Sequence, residues 1–164
     1  MLRMLIAVLL MLLPVAAHAQ AFDHAAWDGL LKRNVVAVRG GVASQVRYDG
    51  MARDRAALKT YLAGAGKVSR ATFDGWLKPD QLAFLINVYN AATVELILTA
   101  YPKLTSIKDL GTLFQSPWAK PSVALFGNTV SLDDIEHGMI RRSGRYNDPR
   151  IHFAVNCASI GCPA

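Results

Sequence analysis

Gln81-Leu-Ala-Phe-Leu-Ile-Asn-Val-Tyr-Asn-Ala-Ala-Thr-Val-Glu-Leu-Ile-Leu-Thr-Ala-Tyr101 is the longest helical pattern of the chain, entered through Pro79-Asp80 and stopped by Pro102. Leu82, Leu85, Ile86, Tyr89, Ala92, Thr93 and Leu96 share one face at helical spacing. The opposite face carries Phe84, Ala91, Val94 and Leu98, so the helix is apolar nearly all round. Such a helix lies in the middle of a domain with other elements packed on both sides. Asn87 and Asn90 sit three apart on it, and each buried amide must find partners or cost about 1–3 kcal/mol. They are expected to bond neighbouring loop backbone, with lining of a substrate cleft as the alternative.

Shorter elements follow on either side. Residues 22–38 carry a helix-like spacing opened by Asp23, and Gly40-Gly41 breaks it. Residues 42–48 alternate as a strand, and Asp49-Gly50 reads as a turn. A short helix over 54–63 stops at Gly64, and Ser69 and Thr72 can cap a further turn containing Phe73 and Trp76. After a loop-rich stretch over 104–121, residues 123–126 and 129–131 read as a hairpin around Gly127-Asn128. Ser131-Leu-Asp-Asp134 has capping-box spacing and should start a helix through Arg142. Asn147-Asp148-Pro149 turns the chain into a final strand over 150–156. Helices mixed with a few strands predict an α+β fold, one domain spanning residues 20–164.

Residues 1–19 stand apart. Arg3, an apolar run from Met4 to Val15 and the small-x-small site Ala17-His18-Ala19 make a cleavable secretory signal. The expectation is an exported protein, periplasmic or secreted, with no transmembrane segment once the signal is removed. The formal net charge is +6, but the basic residues are scattered, without a basic run interleaved with aromatics. That pattern argues against a nucleic-acid surface and suits contact with anionic envelope material.

The residues fit for chemistry gather near the C-terminus. On the helix after Ser131, α-helical phasing clusters Leu132, Ile135, Met139 and Ile140, and Glu136 falls inside that apolar stripe. A carboxylate aimed at a core needs a partner: it either serves a function, as groups so placed often do, or bonds buried backbone or pairs with one of the arginines. His137 lies at the margin of the stripe. In Arg150-Ile-His-Phe-Ala-Val-Asn-Cys-Ala-Ser-Ile-Gly-Cys-Pro-Ala164 stand both cysteines, Cys157 and Cys162. Strand alternation would put His152 about 16 Å from Cys157 and on the opposite face. His137 is then the better base, with His152 the alternative if the strand bends and His24 a weaker outsider. Three readings stay open: a nucleophilic Cys157 with His137 as base and Glu136 orienting it; a Cys157–Cys162 disulfide; and zinc on His152, Cys157 and Cys162, whose spacing fits no common structural zinc pattern. No metal or cofactor is expected on the leading reading.

Asp80-Gln-Leu-Ala-Phe-Leu-Ile-Asn-Val-Tyr-Asn-Ala91, Ser131-Leu-Asp-Asp-Ile-Glu-His137 and Asp148-Pro-Arg-Ile-His-Phe-Ala-Val-Asn-Cys-Ala-Ser-Ile-Gly-Cys-Pro163 together resemble the bacterial, exported members of the "domain of unknown function 547" family. The resemblance implies a fold similar to the cysteine-peptidase and transglutaminase group, which favours the thiol reading. It also implies further helices beyond the Cys-Pro motif, so the domain is expected to be incomplete at Ala164. The leading expectation is a thiol-dependent hydrolase or acyltransferase acting on amide bonds of envelope peptides or small thiol peptides. The alternative is a non-catalytic envelope binding or scaffold domain carrying the Cys157–Cys162 disulfide.

Overall fold

The computed structural model describes residues 20–142 and 144–158. The expected signal, residues 1–19, and Cys162 lie outside the described residues.

The first helix, α1 (Ala25–Asn34), starts where the Asp23 carboxylate accepts the Ala25 N–H at 2.8 Å. It stops four residues before the 22–38 pattern does. Val35-Val-Ala-Val38 forms strand β1 instead, pairing antiparallel with β2 (Ala43–Val46) in the register Val35↔Val46 to Val38↔Ala43. The run of β-branched valines next to a glycine turn overrides the helical spacing. Arg39, Gly40 and Gly41 make that turn with positive φ.

Asp49-Gly50 is not a turn. It lies inside helix α2 (Tyr48–Arg53). Gly50 is required there by close approach, since a Cβ at that position would sit 1.9 Å from Asn34 Oδ1. Asn34 is itself buried, donating to Leu30 O at 3.2 Å and Asp54 Oδ2 at 3.1 Å. Helices α3 (Arg55–Gly66) and α4 (Arg70–Asp74) follow, the latter capped by the Ser69 hydroxyl.

Helix α5 (Lys78–Leu98) is the axis of the molecule. Ala91, Val94 and Leu98 pack into one core cluster with Trp27, Leu30, Met51, Leu58 and Tyr61. Phe84, Leu85, Val88, Tyr89 and Ala92 pack into a second with Phe73, Trp76, Leu125, Leu132, Ile135, Ile140, Ile151 and Val155. Two cores on one helix account for its lack of a polar face. By length and composition α5 could cross a membrane, but most of its apolar window is buried in protein, as in the core helix of a globular domain. Arg55 on α3 clasps the Glu95 carboxylate with bonds of 2.7–3.1 Å, tying the two helices together.

The hairpin forms one residue earlier than its glycine suggests. Strands β3 (Val123–Leu125) and β4 (Asn128–Val130) pair with Leu125 opposite Asn128. The two turn residues are Phe126 and Gly127, both at positive φ. The Phe126 ring packs 4.8 Å from that of Phe73, and this core contact holds a bulky residue in a conformation glycine would prefer. The architecture is α+β, with two small antiparallel sheets beside a helical body.

The final segment departs most from expectation. Residues 150–156 do not form a strand: Ile151–Ala154 is a helical turn, α6, and the chain extends only from Val155. Each sheet has two strands, and neither pairs with this segment. Its backbone is satisfied locally instead, by Phe153 N to Arg150 O at 2.9 Å and Val155 N to Ile151 O at 3.3 Å. Helical spacing buries Ile151 and Val155 and leaves Phe153 exposed, replacing the alternation expected of a strand.

Candidate functional site

Three elements meet around the C-terminal motif: the middle of α5, the helix after Ser131, and α6 with its exit. The capping box begins the second of these as its spacing predicts. Ser131 N–H and Oγ–H donate to Asp134 Oδ2 at 2.9 and 2.7 Å, and Asp134 N–H donates to Ser131 Oγ at 3.0 Å. The backbone and hydroxyl bonds from Ser131 hold the Asp134 carboxyl below its ordinary pKa.

The helix that follows, Asp134–Arg141, is a π-helix, closed by Arg142 N–H on His137 O at 2.9 Å. Its i→i+5 geometry decides which side chains meet. In an α-helix Glu136 and Arg141 would stand about 140° apart. Here Arg141 Nε donates to Glu136 Oε1 at 3.0 Å. Glu136 points inward as the phasing predicts, with only 15% of its side chain exposed. The same carboxylate lies near the Tyr89 phenol of α5. Burial, reinforced by that negative charge, pushes the Tyr89 phenol well above its ordinary value.

Arg141 also reaches Nδ1 of His152 at 3.5 Å, so Glu136, Arg141 and His152 form a chain of contacts across two helices. His137 is not part of it. Its ring is half exposed and sits 4.0 Å from Asp133, one turn back on the same helix. Two consecutive residues, Glu136 and His137, therefore serve different neighbours. The structure does not bring them together as base and orienting acid. His24 is held elsewhere, with Nδ1 2.8 Å from the Tyr61 hydroxyl, and burial lowers its pKa.

Asn90 does what the loop-backbone expectation asks. Its Nδ2 donates to Ala154 O at 2.8 Å and its Oδ1 accepts from Asn156 N–H at 2.9 Å. One amide thus clamps both sides of Val155, whose side chain is buried. Asn156 passes the constraint on: its Oδ1 accepts from Ala158 N–H at 2.8 Å, over a turn in which Ala158 has φ +57°. Cys157 lies between these two anchor points. It is disulfide-bonded, and no cysteine among the described residues is free. Asn87, one turn earlier on α5, is half-buried and makes no side-chain hydrogen bond among the described residues.

Gln81, which sequence reasoning passed over, and Arg141, one of the arginines open to Glu136 in the sequence, belong to this frame. Gln81 is completely buried. Its Nε2 donates to Phe73 O at 2.9 Å and Trp76 O at 3.0 Å, and its Oε1 accepts from Arg145 Nε at 2.7 Å and the Tyr146 hydroxyl at 3.1 Å. A glutamine in the first turn of an otherwise apolar helix was the available signal. Arg141 could not be singled out for Glu136, because that pairing needs π spacing.

A cavity of about 560 Å³ opens beside Ala158, lined by Tyr48, Ile97, Tyr101, Leu104, Thr105, Ser106, Ile107 and Lys108. Its volume is in the range of small-molecule sites. The Tyr48 and Tyr101 rings stand 6.3 Å apart on its wall, Lys108 supplies a cation, and no acidic residue lines it. Among the described residues no three His, Cys, Asp or Glu side chains converge as a metal-binding set.

No curated protein and no solved structure matches the chain. A family model described as "Protein of unknown function, DUF547" matches residues 73–164, a span that takes in α5, the π-helix and the Cys157 motif. By that match over more than half of its length, the chain belongs to the DUF547 family.

Proposed function

We propose that the chain is an exported, non-catalytic binding domain of the cell envelope, in which Cys157 and Cys162 form a structural disulfide and the cavity beside Ala158 takes the ligand. One observation carries this reading. Cys157 is disulfide-bonded, while the side chains offered as base or orienting group have other contacts: His137 with Asp133, Glu136 with Arg141, His152 with Arg141. A nucleophile needs a free thiolate and a base to generate it, and a sulfur held in a disulfide is no thiolate. The double anchoring by Asn90 and Asn156 supports a fixed staple more than a reacting group.

The cavity sets the ligand chemistry. Two tyrosine rings and aliphatic walls accept a flat or branched apolar body, and Lys108 complements a carboxylate. The test is titration of the oxidised protein with 3-phenylpropionate, followed by chemical-shift changes, against a Tyr101→Ala variant. Saturable shifts that the variant loses are expected. Absence of binding by both proteins, or turnover of a dipeptide amide that Cys157→Ser abolishes, overturns the proposal in favour of a thiol hydrolase or acyltransferase.

A further inference from the structure

Leu113 and Phe114 are 96% and 98% exposed, two adjacent bulky apolar side chains standing clear of the protein. Their exposure is built into the backbone. Thr112 N–H donates to Gln115 O at 2.8 Å, and the Thr112 hydroxyl accepts from Phe114 N–H at 3.3 Å and Gln115 N–H at 3.0 Å, closing a tight turn around them. Gly111 lies so close beneath the turn that a Cβ there would meet Gln115 O at 2.9 Å. The base is fixed to the body by buried Ile107 and Pro117 and by the Ser106–Asp109 capping box. A turn held in this way presents its apolar tip whether or not anything covers it.

The charges that flank the tip in sequence are mostly positive. Lys103, Lys108 and Lys120 flank it in sequence, and the Lys120 ammonium donates to Leu110 O at its base. The single acidic residue of this stretch, Asp109, accepts the Ser106 N–H at 2.9 Å, which leaves three lysines against one carboxylate. An apolar point with a net positive flank complements a surface whose outside is anionic and whose inside is hydrocarbon. We infer that the Leu113-Phe114 tip inserts into an anionic phospholipid surface, with the lysines held at the headgroups. The small area favours a bilayer over a second copy of the chain. Two such side chains offer at most about 400 Å², half the roughly 800 Å² per partner of a stable interface. This inference does not depend on the cavity or on the state of Cys157.

The experiment is co-sedimentation of the chain, used as exported from Gln20, with phosphatidylglycerol–phosphatidylcholine vesicles and with phosphatidylcholine vesicles alone. Preference for the anionic vesicles is expected, roughly fivefold for each lysine near the surface, and falling as salt is raised. Leu113→Ser/Phe114→Ser should lose at least tenfold in partitioning with an unchanged circular dichroism spectrum, because both side chains are in solvent. Lys103→Gln/Lys120→Gln should reduce the anionic preference while leaving the weak binding to phosphatidylcholine. The inference is overturned if the wild type ignores anionic vesicles, if the tip variant binds equally well, or if the wild type self-associates through a contact that the tip variant abolishes.

Discussion

Replacing Asn90 with alanine removes two hydrogen bonds at once, the donation to Ala154 O and the acceptance from Asn156 N–H. Each ordinary hydrogen bond contributes about 0.5–1.5 kcal/mol, and this pair is half-buried, so the expected loss is about 1–3 kcal/mol. Asn87→Ala, one turn away on the same helix, deletes a side chain with no hydrogen bond and should cost less than about 0.5 kcal/mol. Urea unfolding of both variants measures the difference. Amide exchange adds a local readout, since Asn156 N–H loses its acceptor and should exchange faster in Asn90→Ala before global unfolding sets in. Equal losses in the two variants, or an unchanged Asn156 amide, would refute the claim that Asn90 fixes the segment carrying Cys157.

The buried glutamine gives a larger effect. Gln81→Leu keeps the volume but strips Trp76 O and the Tyr146 hydroxyl of their partner, while Phe73 O keeps the Trp76 N–H, and at about 1–3 kcal/mol for each orphaned group the loss should reach at least about 2 kcal/mol in denaturant unfolding. The tyrosines set an alkaline limit. Burial raises the phenols of Tyr48, Tyr61, Tyr89 and Tyr146, so each stays protonated in the folded chain after its unfolded counterpart begins to ionise near pH 10. Their contribution is complete below that pH and is lost as pH rises toward the folded values. Absorbance titration at alkaline pH should therefore show these phenols ionising together with loss of circular dichroism; ionisation of all the tyrosines near pH 10 with the fold intact would contradict the burial.

Much of the framework is legible in the sequence because it rests on local physics. The apolar girdle of α5 announces a central helix, and the structure supplies a core on each side of it. Ser131 and Asp134 read as a capping box because both partners lie within four residues. The inward position of Glu136 follows from the same phasing. What fails is whatever depends on distant partners. Residues 150–156 have the composition of a strand, but among the described residues no strand pairs with them, and a side chain 66 positions upstream supplies the acceptor for Asn156 N–H instead. The expected 16 Å between His152 and Cys157 assumes that strand, and the helical turn at Ile151–Ala154 removes its basis. The π-helix is illegible for another reason: α and π spacing bury the same residues Ile135 and Ile140, yet only π spacing carries Arg141 to Glu136. Gly50 shows the same limit, reading as a turn until the Asn34 side chain packed against it is seen.

The account rests on Cys157 serving as a staple in a binding domain, so the most direct measurement is a thiol count on the folded, unreduced protein. Alkylation at neutral pH followed by intact-mass measurement should give no adduct before reduction and two afterward, because the chain holds only two cysteines. A single rapidly alkylated site on Cys157 without reductant would contradict it.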